Sequence, residues 1–173
     1  MSNKCLQCKA KYHCCKNGFA FVGIEDAKQI KETTGKEYTE FLDYSELSPD
    51  VLQIVQSGDP VHESSLRNYL LKDNKILRLQ KRGRNCVFLK EGKCSIYTIR
   101  PKICQMYPHW CMRLLDGTLK VIDHDDNYCL VRNSTTLRTE DEEKLFKLFR
   151  DILDEGQYYK EHIDEFVKEH NIR

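Results

Sequence analysis

Apolar residues recur at two different spacings along this chain, and the change of spacing predicts helices near both ends with short strands between them. From Ile24 to Thr34 the apolar positions follow the spacing of an amphipathic helix, and Gly35 is a natural stop. A second short helix is predicted over Tyr38–Leu42, and the run Phe19–Val22 favours a short strand. This part of the chain is therefore predicted to combine helix and strand.

From Tyr69 onward the period becomes two residues, which is typical of strands. Two turn signals, Asp73-Asn74 and Glu91-Gly92, lie within this stretch and predict hairpins. The second turn predicts a small knuckle like that of a zinc ribbon, with Cys86 and Cys94 at its two ends. The candidate strands are Leu70-Leu71, Ile76–Leu79, Cys86–Leu89, Cys94–Tyr97 and Leu119–Ile122.

The C-terminal part returns to helical spacing. Thr139 and Glu142 match a capping box and predict the start of a helix that ends at Gly156. A terminal helix follows, with an apolar stripe formed by Tyr159, Ile163, Phe166 and Val167. We therefore predict two C-terminal helices.

Nine cysteines change this picture, because eight of them fall into two clusters. Thiolates gathered in this way are typical ligands of zinc or of an iron–sulfur cluster. The sequence therefore predicts a metal-binding protein with one of these two as its cofactor. The candidate ligands are Cys5, Cys8, Cys14 and Cys15 at the N-terminus, Cys86, Cys94, Cys104 and Cys111 in the middle, and Cys129 alone.

A disulfide framework is the other account of so many cysteines. Disulfides need an oxidising compartment, but the N-terminus shows no export signal and the total of nine is odd. The composition, rich in lysine and glutamate, also fits a cytoplasmic protein. We therefore expect reduced thiols in the cytoplasm.

The sequence leaves the division of ligands open. Neighbouring residues of an extended chain point to opposite sides, so Cys14 and Cys15 cannot easily bind one ion. Two sites with four thiolates each would use both of them. Alternatively, His13, His109 or His124 could replace a cysteine.

Together these features predict an α+β fold: a small, metal-nucleated, cysteine-rich domain over residues 1–132 with short hairpins and short helices. The two C-terminal helices form an extension over residues 133–173 that packs on it. A mean hydropathy of −0.64 and the lack of a long apolar run predict no membrane partner. No Gly-x-Gly loop and no serine elbow occurs, so whether the protein is an enzyme stays open.

Positive charge is concentrated in one segment. Lys72–Arg113 contains eleven lysines and arginines and two acidic residues, although the whole chain has a net charge of only +1. The segment coincides with the second cysteine cluster, and a four-thiolate site carries a net charge of about −2 that these residues would offset. An acidic protein partner, or less favourably a nucleic acid, is the alternative ligand of this segment.

Six short motifs follow one another in the order found in a known family. They are Cys5-x2-Cys8, Cys14-Cys15, Cys86-Val87-Phe88-Leu89, Cys94-Ser95-Ile96-Tyr97, Arg100-Pro101-x2-Cys104 and Tyr107-Pro108. On these motifs, from Cys5 to about Cys129, the chain resembles the YkgJ-type cysteine-cluster family, a CxxCxxCC zinc- or iron-chelating domain. It departs from the family in the longer gap before Cys14 and in Gln105 and His109, where a basic residue and an aromatic are usual.

The resemblance implies metal binding, with Cys111 and Cys129 competing for the eighth ligand position. Some members are labelled as Fe–S-cluster-containing proteins and others as flagellin lysine N-methylases, which implies protein lysine methylation as an alternative role. Arg100 and Tyr107, from the two proline motifs, are the expected cofactor contacts. The other interpretation of these motifs is a rigid corner of the fold.

Overall fold

The computed structural model describes residues 15–16, 20–49, 52, 71–107, 109–113, 116–123 and 139–173. The α-helices with described bounds are α1 (Ile24–Thr34), α2 (Lys102–Met106) and α3 (Thr139–Glu169). The strands are β1 (Leu42–Glu46), β2 (Lys75–Leu79), β3 (Lys81–Arg82), β4 (Asn85–Cys86), β5 (Leu89–Lys90), β6 (Lys93–Cys94), β7 (His109–Arg113) and β8 (Leu119–Asp123). They form four antiparallel pairs, β1–β2, β3–β4, β5–β6 and β7–β8. The predicted α+β class is confirmed.

The first helix is confirmed, but the two short elements around it differ from the prediction. Gly35 ends α1 in the left-handed conformation, with φ 66° and its N–H donating to the Lys31 carbonyl at 2.8 Å. The predicted helix at Tyr38–Leu42 is instead a 3₁₀ turn over Tyr38–Glu40, and Leu42 begins β1 because its backbone pairs with β2. Phe21 forms only an isolated bridge with Arg78 rather than part of a strand, and Phe19 lies outside the described residues.

Both predicted turns are present, but the strands around them pair differently. Asp73-Asn74 and Glu91-Gly92 have positive φ angles, as tight hairpin turns require. However, β2 pairs along its whole length with the distant β1, and among the described residues before the turn only Lys72 forms a bridge with it, at Lys75. Cys94 pairs with Leu89, whereas Cys86 pairs with Lys81 in the preceding hairpin. The predicted knuckle with a cysteine at each end is therefore wrong, since the two cysteines belong to different hairpins.

The two predicted C-terminal helices are one continuous helix, α3. Gly156 does not end it, because its position is buried and lies in phase with the apolar stripe on both sides. That stripe recurs every three or four residues as Leu145, Phe149, Ile152, Gly156, Tyr159, Ile163 and Phe166. Packing of the uninterrupted stripe outweighs the roughly 1 kcal/mol by which glycine weakens a helix.

One apolar core joins α1, the β1–β2 pair and α3. Val22, Ile30, Phe41, Leu77 and Phe149 are fully buried in it. The Tyr159 hydroxyl, also buried, accepts a hydrogen bond of 3.0 Å from the Leu77 N–H and thereby ties α3 to β2. Among the described helices, none has the length and apolar run needed to cross a membrane.

Candidate metal centre

Five of the nine predicted ligands lie in the described part of the chain, each on a different element. Cys15 lies in a helical turn, Cys86 in β4, Cys94 in β6, Cys104 in α2 and Cys111 in β7. The first four are half-buried, and Cys111 is fully buried. The other predicted ligands lie outside the described residues: Cys5, Cys8, Cys14 and Cys129.

The hairpin that carries Cys94 is anchored to the core by two apolar side chains. Phe88 and Ile96 are 2% and 3% exposed, and the Phe88 ring lies 5.6 Å from the Phe41 ring between centroids. The Ser95 N–H donates to the Phe88 carbonyl at 2.9 Å and closes the turn around these residues. Cys94 is consequently held at the edge of the core, where its thiol is half-buried.

The Arg100-Pro101 motif positions the helix that carries Cys104. The Gln105 N–H and side-chain amide donate to the carbonyls of Pro101 and Arg100, at 3.0 and 2.9 Å. The Arg100 guanidinium lies over the Tyr97 ring, 4.2 Å from its centroid. These contacts support the interpretation of the motif as a rigid corner, and a cofactor contact of Arg100 stays a prediction.

Tyr107 follows the last residue of α2. Its N–H donates to the Ile103 carbonyl at 3.3 Å, so it closes the final turn of the helix, and its side chain is half-buried. Pro108 lies outside the described residues. The predicted contact of Tyr107 with a cofactor stays a prediction as well.

Lys81 brings the end of the N-terminal cysteine cluster close to the second cluster. Its ammonium donates to the Lys16 carbonyl at 3.3 Å, and its backbone pairs with Cys86. Burial and the charge of Arg78 lower the pKa of Lys81, whereas the nearby Cys86 thiol opposes that shift. The residue that follows Cys15 and the strand that carries Cys86 are therefore neighbours in the fold.

Cys111 has a different environment from the other described cysteines. It is 0% exposed, lies opposite Val121 in the β7–β8 pair, and belongs to the apolar core. Burial alone raises the pKa of its thiol to about 12. His109, two residues earlier on the same strand, is also buried, whereas His13 and His124 lie outside the described residues.

Within the described ranges, no three His, Cys, Asp or Glu side chains converge to hold a metal ion. Zinc sites and cubane clusters generally have four protein ligands, or three with an open position. A four-ligand site would therefore draw at least two ligands from outside the described residues. Soft, half-buried thiols next to lysine and arginine side chains nevertheless fit the chemistry of a zinc or iron–sulfur site.

An ionic network, which sequence reasoning did not identify, lies at the start of the helix that carries Cys104. We call Asp26, Lys102 and Glu155 the Lys102 network. The Lys102 ammonium lies 3.0 Å from a carboxylate oxygen of each acid. Burial lowers the pKa of Lys102, but the charges and hydrogen bonds of the two carboxylates outweigh it, so the pKa is raised overall. No local pattern reveals the network, because its members come from α1, α2 and α3.

The fold is that of a small α+β domain that carries cysteines on several of its elements. The chain belongs to the CxxCxxCC family, described as "Putative zinc- or iron-chelating domain", whose model matches residues 4–130. This confirms the resemblance found in the sequence and the metal-binding class. No solved structure matches the chain.

Proposed function

We propose that the protein binds zinc or an iron–sulfur cluster through thiolates from both cysteine clusters. The observation that carries this proposal is the Lys81 side chain, which links the Lys16 carbonyl to the strand of Cys86. The link brings together chain segments that are about seventy residues apart in sequence. The middle cluster by itself would not supply a four-thiolate ligand set, because no three of the described His, Cys, Asp or Glu side chains converge.

The described cysteines also limit the number of sites. Each four-thiolate site would need at least two ligands from outside the described residues, since no three described side chains converge. Four cysteines lie there, namely Cys5, Cys8, Cys14 and Cys129. We therefore propose at most two sites built from cysteine alone, and where there are two, each joins residues of different sequence segments.

The bound group has a structural consequence in either case. Strands β3 to β6 contain two residues each, and isolated hairpins of that length are marginal in water. Metal–thiolate bonds add folding free energy to such segments. Zinc would supply structure alone, whereas an iron–sulfur cluster would also supply one-electron redox chemistry.

The exposed basic side chains of the two central hairpins support a second candidate function, a zinc-built module that binds an acidic protein segment. Lys81, Arg82, Arg84, Lys90 and Lys93 are all exposed. Their charges would offset thiolates and remain accessible to a partner at the same time. Protein lysine methylation rests on the family resemblance alone, and nucleic acid is the less favoured partner.

Metal analysis of the anaerobically purified protein tests the main proposal. We expect either iron and acid-labile sulfide in near-equal amounts with a brown colour, or one to two zinc ions in a colourless protein. Cys94→Ser should lower the metal content, whereas Ser95→Ala, its neighbour in the same hairpin, should not. Wild-type protein that contains neither metal, or Cys94→Ser protein with full metal content, would contradict the proposal.

The second candidate function needs its own measurement. Binding to an acidic peptide should weaken steeply between low and physiological salt, because exposed charges are screened. Replacing Arg82 and Arg84 by serine should reduce that binding without changing the metal content. Equal binding by this variant and the wild type would exclude these two side chains as the contact.

A further inference from the structure

The Lys102 network connects three elements at the base of α2. The Lys102 ammonium contacts Asp26 Oδ1 and Glu155 Oε2, both at 3.0 Å. The backbone N–H of Lys102 donates to Asp26 Oδ2 at 3.1 Å, and the second oxygen of Glu155 accepts from the Glu25 N–H at 3.0 Å. Both carboxylates therefore bind a backbone N–H in addition to the ammonium.

The network is shielded from water. The side chains of Asp26, Glu155 and Lys102 are 6%, 8% and 20% exposed. Charges in such a place are costly unless each has its partners in good geometry, and removing one partner leaves the others uncompensated. Loss of either carboxylate would therefore leave the Lys102 ammonium with a single partner.

The Lys102 network anchors α2, which would not be stable as an isolated helix. The helix has five residues, far below the length at which a helix is stable alone in water. Lys102 is its first residue, and Cys104 lies two residues further on. The position of Cys104 therefore depends on the carboxylates of α1 and α3.

We propose that Asp26 and Glu155 are positioning residues for the metal site, because they hold α2 where Cys104 can act as a ligand. This inference rests on the proposed metal-binding function. The family model matches residues 4–130, and Glu155 lies outside that range. A residue outside the matched range would therefore orient α2, the helix that follows Arg100-Pro101. Because such coupling is reciprocal, metal binding strengthens the docking of α3, and docked α3 strengthens metal binding.

The test compares Glu155→Gln with Asp151→Asn. Asp151 forms an exposed ion pair with Lys147 one turn before Glu155 on the same helix, so its variant removes the same charge without removing a partner of Lys102. The probe is zinc, and its affinity is measured by competition with a chromogenic chelator. We expect Glu155→Gln to bind zinc about 10- to 100-fold more weakly, as for residues that orient a ligand, and Asp151→Asn to bind like the wild type.

Hydrogen exchange separates positioning from general stabilisation. Zinc should slow exchange of the α3 amides in the wild type and in Asp151→Asn, but much less in Glu155→Gln. A residue that only stabilises the fold would lower protection with and without zinc and leave the zinc effect intact. If Glu155→Gln does not fold, Glu155→Asp, which keeps the charge on a shorter side chain, gives the same comparison.

Each result decides between the two proposals. Equal zinc affinity and an equal zinc effect on α3 in Glu155→Gln and the wild type would overturn the positioning role and leave metal binding intact. A wild-type protein that binds neither zinc nor iron would overturn the proposed function and the positioning role with it. Weaker binding in Glu155→Gln but not in Asp151→Asn would support both.

Discussion

The core around α3 and the hairpins that carry Cys86 and Cys94 are built on different physical principles. Residues such as Ile30, Leu77 and Phe149 are fully buried in the core, which joins a helix, a strand pair and the long helix α3. The hairpins β3–β4 and β5–β6 have strands of two residues and only Phe88 as a buried side chain within their span. The comparison shows that burial of apolar surface can stabilise the first region, whereas the second needs another source of free energy.

The largest effect should come from removing the metal. Structural zinc contributes on the order of 10 kcal/mol to folding in small cysteine-rich domains. In the chelated protein we therefore expect the amides of β3 to β6 to lose their protection from hydrogen exchange, whereas those of β2 keep theirs and those of α3 exchange only moderately faster. Equal loss in both regions would show that the metal supports the whole fold, and unchanged hairpins would show that they need no metal.

The next largest effect should come from the core. Phe149 is 0% exposed, and Phe149→Ala should lower the free energy of unfolding by about 3–5 kcal/mol, because the buried ring leaves a cavity. Phe146→Ala on the same helix is the control, since Phe146 is only partly buried and should cost less. Urea titration of the chelated proteins measures this difference without the contribution of the metal. Similar losses of stability in both variants would mean that Phe149 contributes no more to the core than the partly buried Phe146.

A smaller effect should follow from Tyr159→Phe. The variant leaves the buried Leu77 N–H without its 3.0 Å acceptor, which costs about 1–3 kcal/mol. Tyr158→Phe is the matched control, because Tyr158 is 41% exposed and its hydroxyl can be replaced by water. A Tyr159→Phe variant as stable as the control would show that the hydroxyl does not tie α3 to β2.

The last effect appears only at alkaline pH. Burial raises the pKa of Cys111 from an ordinary value of 9.0 to about 12. The folded state therefore favours the neutral thiol, and stability present below pH 9 should be lost as the pH rises toward 12, by at most about 1.4 kcal/mol per pH unit. In the chelated protein, Cys111→Val should flatten the fall of the urea midpoint between pH 8.5 and 10.5. An unchanged slope would mean that other groups, such as the buried Tyr159, dominate the alkaline response.

Local signals in the sequence predicted the elements that depend on local physics. Gly35 ends α1, and Asp73-Asn74 and Glu91-Gly92 form turns, because each requires a backbone conformation that these residues adopt readily. The prediction that a helix ends at Gly156 is wrong, because a glycine by itself does not show whether the helical turns on both sides of it pack against the core. The family motifs predicted the metal-binding class, because the cysteine spacing within each motif can be read directly from the sequence.

Features that depend on distant residues could not be predicted in the same way. Asp26 and Lys102 are 76 residues apart, and Lys102 and Glu155 are 53 apart, so no window of sequence contains the network. Cys86 lies between two turn signals, and the sequence did not show that it pairs with Lys81 in the first hairpin and not with residues of the second. The candidate ligands were recognised from residue type, but their grouping depends on the tertiary fold.

The position of α3 at the end of the described chain has a consequence for synthesis on the ribosome. All nine cysteines have been made by residue 129, whereas Phe149, Tyr159 and Ile163, which share the core with Ile30 and Leu77, are made later. We therefore expect the nascent chain to present a full set of thiols to metal while its apolar residues still lack their cover. The metal content of a released chain that ends after residue 138, compared with that of residues 1–173, would show whether the thiols can bind metal before α3 is present. During that interval, apolar surface is open to chaperones, and it is covered only once α3 has been made.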